Sequence, residues 1–200
     1  MVELSTNTYE GGKKYNKRTN KTAGRGLIPN RIGIEERPEV VDIKERIGDF
    51  EVDTIVGRRH RGAILSIVDR VTKLTFLVLL TRGTAENVRK AMVAALKPFI
   101  NDVLTITSDN GKEFARHEDI AQELCADFFF ARPYRSWERG LNENTNGLVR
   151  QYFPKKTDFN SITQSDVAMV QHRLNTRPRK TLGYKTPSEV FYNATGSHNT

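Results

Sequence analysis

The stretch GDFEVDTIVGRRHRGAILSIVDRVTKLTFLVLL, residues 48–80, decides the fold. It holds three β-branched or aromatic runs, GDFEVDTIVG (48–57), GAILSIVDR (62–70) and KLTFLVLL (73–80), parted by short turns that carry glycine or charge. That is the pattern of a three-stranded antiparallel meander. The period then changes. Thr84 is placed to cap a helix over 84–99 with Asn87 at its third position, and Val88, Ala91, Met92, Ala95, Leu96 and Phe99 recur at helical spacing until Pro98 ends the segment. VLTITSD (103–109) reads as a short buried strand, EFARHEDIAQELCA (113–126) as a second helix and DFFFA (127–131) as a fifth strand. Helices follow over 140–153, over 163–175 with Thr163 or Ser165 as cap, and from Pro187 onward.

The order β-β-β-α-β-α-β-α demands a mixed sheet. A crossover after the meander must return the fourth strand to the open edge beside the first, right-handedly and parallel to it. The expected class is α/β, a ribonuclease-H-like mixed five-stranded sheet flanked by helices, with strand 103–109 beside strand 49–57 where open sheets bind ligands. Residues 1–34, rich in Asn, Thr, Gly and Lys, read as a basic flexible arm; 35–193 form the core and 194–200 a tail. Within the core, charge dominates 35–46, a short helix at most.

Charge is unevenly placed. Residues 1–34 carry seven Lys/Arg against two acids and 131–200 eleven against five, whereas 35–130 hold fourteen against seventeen. Basic flanks around an acidic centre point to a polyanionic partner, against the plain alternative of a solubilising surface. Cys125 is the single cysteine, which excludes an intrachain disulfide and a cysteine-based zinc site. The longest apolar run, FLVLL at 76–80, is too short to span a bilayer, and the expected location is the cytoplasm, with the nucleoid.

Three acids stand out. Asp53 lies inside the first strand, where an unpaired carboxylate is expensive to bury; an ion pair with an arginine or an edge position would explain it equally. Asp109 closes the fourth strand in SDNG, which is also an ordinary turn sequence. Together they carry more, because adjacent parallel strands would bring them within one inter-strand spacing and its stagger, and two like charges so close call for a hard cation such as Mg²⁺. The four histidines are scattered, and His117, in RHED, is expected at the surface. Glu143 sits in GLNENTNGLVRQYF (140–153), a helix start crowded with weak helix formers. It is either a solvated acid favourable to the helix dipole or the third member of the set. Its face also carries Asn146, Gly147 and Arg150, a carboxylate, an amide, a bare backbone and a guanidinium suited to a metal-bound phosphodiester.

These motifs, GDFEVDTIVG, SDNGKEF, YRSWERGLNENTNGLVRQYFPK and LNTRPRKTLGYKTPSEVF, resemble the catalytic domain of DDE transposases of the insertion-sequence-thirty family, relatives of retroviral integrases. Thirty-three residues separate Asp109 from Glu143, the interval that family keeps. The resemblance runs over residues 11 to 192. It implies a catalytic and metal-binding triad of Asp53, Asp109 and Glu143, two Mg²⁺ ions with Mn²⁺ as substitute, and nicking and strand transfer at insertion-sequence ends by an oligomer on DNA. Two departures, RPYRSW in the loop and Leu141 before the Asn-Glu pair, bear on substrate contacts. Relatives also carry an upstream helix-turn-helix region for which Met1 starts too late, so an inactive DNA-binding remnant stands as an alternative, as does a hydrolytic ribonuclease-H-like nuclease that would share the acids and metals without joining.

DNA contacts are expected from Arg58, Arg59 and Arg61 in the first hairpin turn, from Lys112 after Asp109, and from Arg139, Asn142, Asn146, Arg150, Lys155 and Lys156 around the helix of Glu143. Trp137 is expected either to wedge against unstacked DNA or to pack on the sheet's rim.

Overall fold

The structure is a computed structural model that describes residues 28–133 and 140–196. Five strands, β1 (Asp49–Val56), β2 (Ala63–Asp69), β3 (Thr75–Leu80), β4 (Thr105–Ser108) and β5 (Asp127–Phe130), form one sheet in the order β3-β2-β1-β4-β5. β1 to β3 pair antiparallel as the meander requires, and β4 joins β1 in parallel. β5 then continues parallel beyond β4, which leaves β1 at the centre.

Helices cover both faces, and this explains why β2 is buried along its whole length. Phe50 and Val52 of β1 join Leu65, Ile67 and Ile106 under α2 (Ala85–Leu96) and α3 (His117–Leu124). Ile55 and Ile64 turn to the opposite face, where Val149 of α4 (Gly140–Tyr152) and Val167, Val170 and Leu174 of α5 (Gln164–Asn175) complete a second core. The strand period of two thus sorts one sequence into two cores. The terminal α6 (Pro187–Thr195) returns to the first core, Phe191 meeting Phe99 edge-on at 5.5 Å.

The caps follow the local chemistry. Thr84 accepts from the Asn87 N–H, and Thr163 and Thr186 each make a reciprocal capping box, with Asp166 and Glu189. The helix expected over 84–99 ends at Leu96, and a 3-10 stretch (Lys97–Asp102) takes in Pro98. Similarly, the segment 113–126 opens with a 3-10 turn at Lys112–Phe114 before α3 begins.

The lead-in is packed where it is described. Ile28 lies in the first core, the Phe130 N–H donates to the Ile32 carbonyl at 2.9 Å, and Gly33 bridges to Phe130. A 3-10 turn (Ile34–Glu36) and the four-residue α1 (Val40–Ile43) follow in the charged segment. His117 departs from expectation: it is 3% exposed, its ring edge-on to Phe130 at 4.9 Å, with Nε2 3.3 Å from the Asn30 carbonyl. Its position at the start of α3, facing the lead-in, buries what an isolated RHED would expose. Among the described residues no helix is long and apolar enough to cross a membrane.

Candidate active site

Asp53 is the fifth residue of β1 and is half-buried. It shares a face of the strand with Glu51 and Ile55, the face that α4 covers. Its Oδ1 accepts the Thr54 N–H at 2.8 Å and its Oδ2 accepts Asn146 Nδ2 at 2.8 Å. Asp109 follows β4 directly, also half-buried, and its Oδ1 accepts the Gly111 N–H at 2.9 Å, closing the turn that SDNG announces. The two strands pair Glu51 with Thr107, and each aspartate lies two residues beyond that pair. Continued by two positions, this register sets Asp53 opposite Asp109 at the carboxyl ends of β1 and β4.

Glu143 is the fourth residue of α4 and is exposed. Asn146, one turn further on, fastens the helix to Asp53 and accepts from Ser66 Oγ at 3.1 Å. The three acids thus stand on three elements gathered at one end of the sheet. Among the described residues no three His, Cys, Asp or Glu side chains form a metal-holding group. The donor set is nonetheless of the right chemistry: three carboxylates are hard oxygen ligands for Mg²⁺ or Mn²⁺.

The polar residues expected to face DNA divide into two groups. Arg58, Arg59, Arg61, Lys112, Lys155 and Lys156 are exposed. The Arg58 N–H donates to the Thr157 carbonyl at 2.9 Å, which brings the loop of Lys155 and Lys156 against the turn of the three arginines. Lys112 stands three residues after Asp109, so these cations share the rim of the sheet at which the acids lie. Asn142 is a correction: it is 1% exposed, turned into the protein because α4 packs that stripe, with Thr145 and Val149, against the sheet. Arg150 is half-buried and occupied, donating to the Val56 carbonyl at 2.8 Å and lying 5.6 Å from the centre of the Phe159 ring. Burial holds its guanidinium below the usual arginine range. Asn146 likewise spends its amide on Asp53 and Ser66. Trp137 and Arg139 lie outside the described residues.

Charged residues that the sequence did not single out lie under this site. Arg70 Nη1 donates to Glu51 Oε1 at 2.6 Å, both side chains being 4% exposed or less. Arg37 Nη1 donates to Thr107 Oγ1 at 2.9 Å. Burial, together with the neighbouring Arg70 charge, lowers the Arg37 pKa from its ordinary value. The only signal was Glu51 inside β1, on the same strand face as Asp53, and it names no partner.

Residues 47–136 match the family described as integrase core domain. The transposase for insertion sequence element IS4351 of Bacteroides fragilis is 54% identical over 180 residues, 90% of this chain and 55% of that protein. Transposase InsI for insertion sequence element IS30A of Escherichia coli is 36% identical over 181 residues, 89% of this chain and 47% of the relative. The chain therefore spans about half the length of the curated relatives it matches. Among solved structures, the catalytic core domain of BIV integrase superposes with a TM-score of 0.59 at 19% identity, covering 75% of this chain and 97% of that one. A simian T-cell lymphotropic virus intasome superposes at 0.60 and 17% identity, over 72% of this chain and 54% of that one. These last two speak for the fold, which is ribonuclease-H-like, as in the integrase cores. Over residues 47–136 the chain is thus similar to the integrase core domain, and over about nine-tenths of its length to transposases of insertion sequence elements.

Proposed function

We propose that this chain is the catalytic core of a DDE-type polynucleotidyl transferase that nicks DNA at insertion-sequence ends and joins the freed 3′-hydroxyl to target DNA. The observation that carries this reading is the β1–β4 register, which leads Asp53 and Asp109 to the same sheet end with the helix of Glu143 fastened beside them. Asp53, Asp109 and Glu143 would together hold the divalent cations. These ions, Mg²⁺ or Mn²⁺, would supply charge neutralisation to the attacking and leaving oxygens of an in-line displacement at phosphorus.

What the chain's own residues do is chiefly positioning. Thr54 and Gly111 N–H groups and the Asn146 amide each occupy one carboxylate oxygen edge, so the aspartates present a fixed remainder. The exposed Arg58, Arg59, Arg61, Lys112, Lys155 and Lys156 would neutralise phosphates along the rim, without reading bases. Water attacks first and the 3′-hydroxyl second; no covalent link to protein is required. The partner is DNA, element ends and target, bound by more than one copy of the chain, where chromosomal DNA is accessible.

The test is an assay with labelled element ends, pre-nicked and intact, in Mg²⁺. Joined products that vanish in Asp53→Asn and Asp109→Asn are expected. Nicking without any joining would instead indicate a hydrolytic nuclease, and neither product from a folded chain would indicate a DNA-binding remnant.

A further inference from the structure

Directly beneath the acids lies a charged pair that the chemistry above does not use. Glu51 precedes Asp53 by two residues on the same face of β1, and it is 2% exposed. Arg70, at the end of β2, holds its Oε1, while its Oε2 accepts the backbone N–H of Asn142 at 3.3 Å. That N–H belongs to the first turn of α4, where amides have no partner inside the helix and carry its positive end. The residue after Asn142 is Glu143.

A buried ion pair is weak evidence of stabilisation, since desolvating both charges offsets much of their attraction. Its geometric effect is more specific. Gly140, Asn142 and Asn144 make the first turn of α4 a poor helix former, and the Asn142 side chain, although buried, has neither amide atom bonded. The turn is thus held by the carboxylate below it. Arg70 is itself pinned, Nε to the Val41 carbonyl at 3.2 Å and Nη2 to Asp42 Oδ1 at 3.4 Å. Arg37 pairs with the same Asp42 and reaches Thr107, two residues before Asp109. One network, buried at Glu51, Arg70 and Arg37 and open to solvent at Asp42, therefore ties β1, β4 and α4 together.

We propose that Glu51, held by Arg70, is a positioning residue for Glu143: its carboxylate anchors the first turn of α4 and sets the height at which Glu143 meets the aspartates. The inference rests on the reading of Glu143 as the third acid. It is tested in the full chain with Glu51→Gln, and with Glu51→Gln/Arg70→Met, which removes both charges in case the single change leaves Arg70 buried without a counter-charge and unfolds the protein. Two readouts are needed: amide hydrogen exchange in the first turn of α4 relative to α2, and strand transfer as a function of Mg²⁺ concentration.

The expected result in whichever variant folds is first-turn exchange about tenfold faster with α2 unchanged, as the loss of one charged hydrogen bond would give. Strand transfer should fall about 10–100-fold, the range typical of residues that orient metal ligands, with a higher Mg²⁺ half-saturation and unaltered DNA affinity. First-turn exchange or Mg²⁺ dependence like wild type in a folded variant would overturn the proposal. Should Glu143→Gln keep full strand transfer, the assignment of Glu143 fails instead, and the exchange measurement still decides whether Glu51 anchors the turn.

Discussion

Asn146 donates from Nδ2 to Oδ2 of Asp53 at 2.8 Å, joining α4 to the central strand across 93 positions of sequence. Its Oδ1 accepts from Ser66 Oγ on β2 at 3.1 Å, so one amide spans two strands and a helix. Asn146→Ala should lower stability by about 1–2 kcal/mol, the cost of removing a charged hydrogen bond and a half-buried acceptor together. Strand transfer should fall roughly 10–100-fold, because the Asp53 carboxylate is then no longer held in one orientation. Denaturant unfolding and the joining assay check the two numbers separately.

Glu143 is exposed and its substitution disturbs no packing. Glu143→Gln should leave unfolding free energy within about 0.5 kcal/mol of wild type. Joining should nevertheless fall by more than the roughly 100-fold that supporting residues command, since a carboxamide cannot replace an anionic ligand. A variant that unfolds would show Glu143 to be structural.

The rim of Arg58, Arg59 and Arg61 is expected to meet the DNA backbone. Replacing all three by Gln should weaken DNA binding and flatten the dependence of log affinity on log salt by about 0.9 for each phosphate no longer neutralised. Asp53→Asn should leave that slope unchanged. Salt-titrated binding to duplex DNA measures both, and an unaltered slope in the triple variant would remove these arginines from the interface.

Phe159 packs under the β1–β2 turn, 2% exposed and edge-on to Phe153 at 6.2 Å. Phe159→Ala should cost about 3–5 kcal/mol. Gly62 meets the same residue from above: its φ is +68°, and a Cβ there would lie 2.8 Å from Phe159 Cβ. Gly62→Ala should therefore also destabilise, and thermal unfolding of the two single variants and of the pair would show whether their effects are coupled.

The hydrogen bond from Arg89, with the nearby charges of Arg89, Arg116 and Lys90, holds the Glu86 carboxyl of α2 down to about 2 from 4.5. A depressed carboxylate contributes stability that is present above its unfolded value and lost as pH falls through its folded one. The stability gap between wild type and Glu86→Gln should accordingly be open near neutrality and close between pH 4.5 and about 2. The group is exposed, so salt should shrink the gap at any pH. Thermal melts across that range, at low and high salt, test the sign.

Much of the architecture was legible from local pattern. The meander, the parallel return of β4 and the placing of Asp53 in β1 and of Asp109 just after β4 followed from periodicity, turn residues and the handedness of crossovers, all of which act over a few residues or through general sterics. Thr84 and Thr163 were legible as caps because a cap is a bond between residues three apart.

Which face of a helix meets the sheet is a different kind of fact. Asn142, Asn146 and Arg150 all read as polar residues available to a ligand, yet packing of Thr145 and Val149 turned the first inward, gave the second to Asp53 and the third to Val56. His117 and Glu51 were buried by partners, Asn30 and Arg70, that stand far off in the chain. The sequence by itself determined the order of the elements and where along them the acids stand, because these rest on short-range preference. Only the tertiary structure decided which polar groups were spent on one another, because a buried donor must find its acceptor wherever the fold brings one within reach.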